Sequence, residues 1–182
     1  MTDLIVREAK DEDGPALAAL LRTVVGDQAE GAWEASDQPA LDRPASNFEA
    51  RGGRLWAVMR QDEAVGALGV YRRARPDEFD LALVGLDREA RGMGLATALL
   101  AGAEAFVAAS GGEALGIWVD TRLGDAIAFL ERHGFVREPG LKGRQDGSDG
   151  VEARFKRNVG DKAGANAPVS PRPSGAPRAD AG

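Results

Sequence analysis

"RGMGLA", residues 91–96, stands between the apolar run "LALVGL" of residues 81–86 and an alanine- and leucine-rich stretch that continues to about residue 110. It puts Gly92 and Gly94 at the start of what the spacing predicts to be a helix, with Arg91 directly in front. A glycine inside a helix costs about 1 kcal/mol relative to alanine, so two in a first turn need a reason. The first backbone N–H groups of a helix have no internal partners, and the helix dipole adds partial positive charge there. Glycines let a bulky anion approach those groups without meeting a Cβ. The turn therefore reads as a phosphate site; the competing reading is a packing turn where helix meets sheet.

Two familiar phosphate patterns fit badly. A Rossmann turn would need glycine at 97, where "GMGLAT" has Thr97, and "DREAR" puts too long a link between strand and first glycine. Only Asp120, at the end of the following strand, speaks for it. A P-loop needs a GK[ST] that does not follow.

Working outward, "LIVREA" alternates and is β-rich, which predicts a strand over residues 3–9. "DEDGPALAALLRTVV" has acids and Pro15 before helically spaced apolar residues, so a helix runs from about Asp13. Residues 26–53 are irregular and polar, with a short second helix around "PASNFEAR". "RLWAVMR" and "AVGALGVYRR" flank the turn "QDE" as a hairpin, "ARPD" is a second turn, and "EFDLALVGL" is a strand apolar enough to be buried on both faces. The helix after the glycine turn carries a wide stripe of Leu95, Leu99, Phe106, Ala96, Leu100, Ala103 and Val107, and "GG" at 111–112 stops it. "ALGIWV" is a strand, "RLGDAIAFLERH" a helix closed by Gly134, "EPGLKGRQDGSDG" a loop, and "EARFKR" a late strand.

Composition bounds the function. A chain of 182 residues suits one domain with a sizeable core. No apolar run nears the roughly 20 residues that span a bilayer, and the start lacks a basic-then-apolar leader, so a soluble cytoplasmic protein is expected. The absence of cysteine excludes disulfides, thiolate metal sites and a cysteine acyl-enzyme. His133 is the single histidine and cannot build a histidine metal cluster; no metal is expected. A net charge of −6 argues against nucleic acid as a partner. Residues 27–49 hold six acids (Asp27, Glu30, Glu34, Asp37, Asp42, Glu49) against Arg43, whereas "YRRAR" gathers Arg72, Arg73 and Arg75. After residue 158 four of the nine prolines and no aromatic residue occur, which predicts a disordered tail over 159–182 behind a domain over 1–158.

The residues Arg91-Gly92-Met93-Gly94-Leu95-Ala96 resemble the phosphate turn Q/R-x-x-G-x-G/A of the GNAT superfamily of acyl-CoA N-acyltransferases at every fixed place. "AIAFLERHGF" is similar to that family's A-I-x-L-Y-E-K-x-G-F signature, and the element order β-α-α-β-β-β-α-β-α-β-β matches over about residues 3–157. The resemblance implies an α/β (α+β) fold whose mixed, mainly antiparallel central sheet has about seven strands and about four flanking helices. It also implies that Gly92, Met93, Gly94 and Ala96, with their neighbours Arg91, Leu95 and Thr97, hold the pyrophosphate of acetyl-CoA. Val84 and Leu86 would pair their backbone with the pantetheine arm like an added strand.

Acyl transfer to an amine needs a neutral amine, a polarised thioester carbonyl and a tolerable thiolate. A lysine-like amine has a pKa of about 10.4, so its proton must be removed. The resemblance places the strand carboxylate that does this at Asp80, with Glu78 on the same face two residues away; an acid at a solvated strand edge is the competing reading. Backbone N–H groups near Leu86 would polarise the carbonyl. The family's usual general-acid tyrosine is Leu130 here, and its frequent asparagine is Leu123. Tyr71, the single tyrosine, does not match. Leu123, Ile127 and Leu130 form a helical stripe of the kind that is core, and His133 sits at a helix C-terminus where an imidazole suits the dipole.

The expected function is direct transfer of an acetyl group from acetyl-CoA to a primary amine in a ternary complex. The alternative is a CoA-binding sensor or interaction module of the same fold without catalysis. The acceptor would be a small-molecule or protein amine; no membrane partner is expected, and a homodimer is compatible with the chain. The acidic segment 27–49 argues for a cationic acceptor, and the arginine hairpin for one that also bears an anionic group.

Overall fold

The β-rich residues 4–8 pair antiparallel with residues 56–60. The computed structural model describes residues 3–25, 40–144 and 149–160. The part of the acidic segment over 26–39, residues 145–148 and the proposed tail beyond residue 160 lie outside the described residues. In chain order the elements are β1 (Leu4–Glu8), α1 (Gly14–Val25), α2 (Pro44–Ala50), β2 (Arg54–Arg60), β3 (Glu63–Arg72), β4 (Glu78–Leu86), α3 (Leu95–Ala109), β5 (Ala114–Asp120), α4 (Gly124–Arg132), β6 (Val136–Gly143) and β7 (Val151–Asn158). This is the α/β arrangement that the resemblance implied, with seven strands and four α-helices among the described residues.

The strands form one sheet in the order β1-β2-β3-β4-β5-β7-β6. Every neighbouring pair is antiparallel except β4 and β5, the two strands that α3 connects. That requirement is general, since parallel neighbours need a crossover long enough to hold a helix. One parallel junction in an antiparallel sheet also removes the Rossmann alternative, which needs successive parallel βα units.

Each face of the sheet carries its own core. On one face α3 and α4 cover Val58, Leu68, Phe79, Leu81, Leu115 and Phe155, all 5% exposed or less. The stripe expected on α3 is seen: Leu99, Leu100, Ala103 and Val107 are buried, while Leu95 and Phe106 pack against them at the edge. Phe106 meets Trp56 and Phe79 edge-on, with centroids 5.9 and 6.4 Å apart. On the other face α1 and α2 bring Leu17, Leu20 and Phe48 onto Leu55, Ala57 and Ala67. Each fully buried leucine or phenylalanine contributes about 1.5–3 kcal/mol. Residues 79–83 of β4 are buried from both sides, as the near-continuous apolar run predicts, with Asp80 the one charged residue among them.

The reading of residues 138–143 as loop is corrected. They belong to β6, which among the described residues is an edge strand paired with β7 and shifts register between Arg137 and Leu141. Pro139 and Gly140 gave the stretch its turn-like composition, and an edge strand tolerates both because one of its sides needs no ladder. Among the described residues no helix is long and apolar enough to cross a membrane.

Candidate functional site

β4 and β5 are hydrogen-bonded over three pairs only, Glu78↔Ala114, Phe79↔Leu115 and Asp80↔Gly116. Past that point β4 continues through residues 81–86 with β3 on one side and, among the described residues, no paired strand on the other. A register shift against β3 between Ala67 and Gly69, with Leu83 at φ 54°, marks a bulge at this place. A bulge leaves a residue out of the ladder and bends its strand. Val84 is consequently 40% exposed, directly after five buried residues. The sheet thus opens into a split with unpaired β4 backbone along one wall.

The glycine turn lies at the mouth of that split. A short 3₁₀ turn (Arg88–Ala90) buries Ala90, and the Arg91 Nε–H donates to the Leu86 carbonyl at 3.1 Å. Gly92 and Gly94 have φ of 77° and 76°, the left-handed region that side chains disfavour. A Cβ at either would meet no atom within 4 Å. Among the described residues the glycines are not squeezed against the sheet, and their outer side is open. Arg91, Gly92, Met93 and Gly94 are all exposed. Gly94 is the N-cap of α3 and supplies no side-chain cap, and the helical ladder begins with the Ala98 amide on the Gly94 carbonyl. The amides of Leu95, Ala96 and Thr97 are therefore the free first-turn donors of a fifteen-residue helix.

A cleft of about 450 Å³ adjoins the turn, lined by Thr23 and Val24 of α1 with Asp87, Arg88 and Arg91. Two guanidinium groups beside free helical amides make this end of the split attractive to a phosphate group. The Thr97 hydroxyl is hydrogen-bonded to His133 Nε2 at 3.2 Å, and His133 Nδ1 donates to the Phe129 carbonyl at 2.8 Å. His133 thus caps α4, as its place at that helix's C-terminus suggests, and also fixes the side chain at the first turn of α3.

The far end of the split is acidic and basic together. Asp80 occupies the last parallel pair, on the face that α1 and α2 share, and is 4% exposed. Its two oxygens accept from both terminal nitrogens of Arg154, one at 2.9 Å, and from Arg73 NH1 at 2.9 Å. Glu78 shares this face, and the Lys156 ammonium at 2.7 Å holds its carboxyl below the usual range. Tyr71 is paired with Asp80 across the β3–β4 ladder; burial, then the Asp80 charge, pushes its phenol above its ordinary value. Asp120, at the end of β5, is clamped by Arg122 and Arg144, whose hydrogen bonds hold it well below the carboxylate range.

Leu130 is 3% exposed and belongs to the α3–α4 core. Leu123, by contrast, is 54% exposed at the N-cap of α4, so it does not join Ile127 and Leu130 in the buried stripe. The periodicity that grouped them does not apply at a residue with non-helical φ and ψ. Sequence reasoning missed Arg73 and Arg154 as groups on Asp80. The cluster "YRRAR" pointed at the first, and nothing local points at Arg154, 74 residues away.

The profile of the acetyltransferase (GNAT) family matches residues 19–135. Among solved structures the chain is similar to a GNAT-family acetyltransferase from Staphylococcus aureus Mu50, with a TM-score of 0.71 and 17% identity over 86% of this chain and 99% of that one. It is likewise similar to a GNAT-family acetyltransferase from Streptococcus pneumoniae (TM-score 0.67, 19% identity, 87% and 100% covered). Ard1 from Thermoplasma volcanium is a third (TM-score 0.63, 16% identity, 86% and 97% covered). At these identities the structures support the shared fold. No curated protein matches the chain. Split, open glycine turn and family profile coincide on the same residues: the chain belongs to the GNAT family of acetyltransferases.

Proposed function

We propose that the protein moves an acetyl group from acetyl-CoA to a primary amine by direct transfer in a ternary complex. The observation that carries this is the continuity of the open glycine turn with the unpaired edge of β4. Free amides of residues 95–97 and the guanidinium of Arg91 suit a pyrophosphate, with Gly92 and Met93 leaving room beside it. Val84 and Leu86 lie on the strand whose open edge suits the amide-bearing pantetheine arm, much as a peptide adds to a sheet edge. The acetyl thioester supplies an acyl group already activated for attack.

The remaining work falls to residues around the vertex. The attacking amine must be neutral, and a free lysine-like ammonium has a pKa of about 10.4. Asp80 stands where the family resemblance puts the proton acceptor, yet its oxygens are committed to Arg73 and Arg154. In this reading Asp80 orients the two arginines, and the amine proton leaves to water. The departing thiolate, of pKa about 8.5 by comparison with cysteine, is tolerable near neutral pH without a general acid. With no cysteine in the chain, a cysteine acyl-enzyme has no place in the reaction.

The burial of Leu130 favours a second reading, a CoA-binding module without catalysis, because the tyrosine position contributes only packing. Release of CoA from acetyl-CoA, measured against a panel of amines, separates the two. Amine-dependent release supports the enzyme; binding of acetyl-CoA without release from any amine supports the module.

A further inference from the structure

At the vertex of the split a row of side chains crosses the sheet on the face turned away from α3 and α4. Arg154 of β7 is paired with Trp118 of β5 and passes over Gly116 to reach Asp80 of β4. A Cβ at position 116 would overlap the Arg154 guanidinium, so the crossing depends on that glycine. Arg73 approaches the same carboxylate from the β3 side. At the other end the Lys142 ammonium of β6 lies 5.7 Å from the centre of the Trp118 ring, and the Arg154 guanidinium lies 5.7 Å from the same ring. Of the acids near the row, Glu138 is 3.9 Å from Arg154 and 44% exposed, and Glu152 stands opposite Lys142 in the β6–β7 ladder. Glu78 and Lys156, on the neighbouring register positions, neutralise each other.

Arg73 has capacity to spare. Its side chain is 40% exposed, and one terminal nitrogen serves Asp80, which leaves the rest of a planar donor fork open. Lys142 carries its charge over the Trp118 ring, opposite Glu152 in the β6–β7 register. Asp80 is committed to Arg73 and Arg154, so a cationic acceptor would meet the Arg73 guanidinium without a spare carboxylate on Asp80, whereas a carboxylate would meet the open donors of Arg73.

Resting on the acyltransferase reading, we propose that the acceptor is a primary amine that also carries a carboxylate, an amino acid or a close analogue. Arg73 binds that carboxylate, Asp80, itself fixed by Arg154, holds Arg73 in place, and Trp118 supports the acceptor's apolar part. The amine is thereby presented at the last β4–β5 pair, where the split begins. The acidic segment, read from sequence as favouring a cation, does not set the acceptor's charge in this view.

The test compares common L-amino acids with their own carboxamides and with putrescine as acceptors, at saturating acetyl-CoA. The expected result is a kcat/KM for the preferred amino acid about 10-fold or more above that of its amide, the size of one charge-assisted contact. Arg73→Gln should erase the preference, chiefly through KM. Equal or better use of the amides or of putrescine overturns the proposal, as does an unchanged ratio in Arg73→Gln. A binding measurement keeps the proposal separate from catalysis. Calorimetric titration of the CoA-saturated protein with N-acetyl amino acids and their amides reads carboxylate recognition without turnover. Tighter binding of the acids, lost in Arg73→Gln, supports the proposal even if no amine is acetylated, in which case only the acyltransferase reading fails. Equal binding, or none, of acids and amides overturns it.

Discussion

Arg154 reaches Asp80 across an intervening strand, joining β7 to β4 over Gly116 of β5 at the point where β4 and β5 part. Both groups are almost completely buried, at 7% and 4% exposure. Breaking a buried pair by deleting one partner costs about 3–5 kcal/mol, because the other charge is left uncompensated. Asp80→Ala should lose that much in urea denaturation. Arg73→Gln, at a half-exposed partner of the same carboxylate, should lose under about 1 kcal/mol. Similar losses for the two variants would show that Arg154 is not held by Asp80. If Asp80 were instead the proton acceptor, Asp80→Asn would remove a limb of the pH–rate profile; with Asp80 as an orienting residue, that profile keeps its shape and the acceptor KM rises.

Gly94→Asp puts bulk and negative charge where the open turn would meet a pyrophosphate. Among the described residues nothing lies within 4 Å of a Cβ at Gly94, and aspartate tolerates a left-handed φ better than most residues, so the fold should survive. Acetyl-CoA affinity should drop at least about 100-fold, the loss of favourable helix-terminus interactions being compounded by repulsion. Gly94→Ala, with no charge, should lose much less. Calorimetry together with circular dichroism checks both variants; unchanged affinity in Gly94→Asp would place the phosphate elsewhere.

Leu130→Tyr tests whether the family's usual phenol position reaches the chemistry in this chain. Leu130 lies in the core among Leu99, Phe135 and their neighbours, so the larger ring should cost about 1–3 kcal/mol from overpacking. No gain in kcat is expected between pH 6 and 9. A gain that fades toward the phenol's pKa of about 10 would put residue 130 at the reacting atoms instead.

Asp120 ties acid stability to the β5 end. Its carboxyl is held below the ordinary range by Arg122 and then Arg144, so the unfolded chain binds its proton first as pH falls. Stability from this group is complete above the unfolded value of about 3.9 and drains away as pH drops below it. Asp120→Asn should therefore lower the melting temperature at pH 7 and converge on the parent protein toward pH 2. A constant difference between the two proteins across that range would mean that the carboxylate's charge is irrelevant.

The elements that were legible in the sequence are those whose signals are local. β4 could be read from one apolar run, α3 from its stripe and its glycine start, and the β2–β3 hairpin from its turn. β6 could not, because Pro139 and Gly140 look like loop until the non-local ladder with β7 is known. The glycine turn was legible as a motif, but the open space beside both glycines was not, because it depends on how the turn sits against the sheet. Asp80 was legible as a strand acid on a particular face. Its commitment to Arg154 depends on the β4–β5–β7 order and on Gly116, a three-strand relationship that no local spacing reveals.

The most direct measurement follows isotopically labelled acetyl-CoA with a panel of amines that includes amino acids, and reads free CoA and N-acetylated product by mass spectrometry. The expected result is one N-acetyl product for each CoA released, dependent on the amine and lost in Gly94→Asp. Saturable binding of acetyl-CoA with no acetylated product from any amine would contradict the enzyme and leave a CoA-binding module of the GNAT fold.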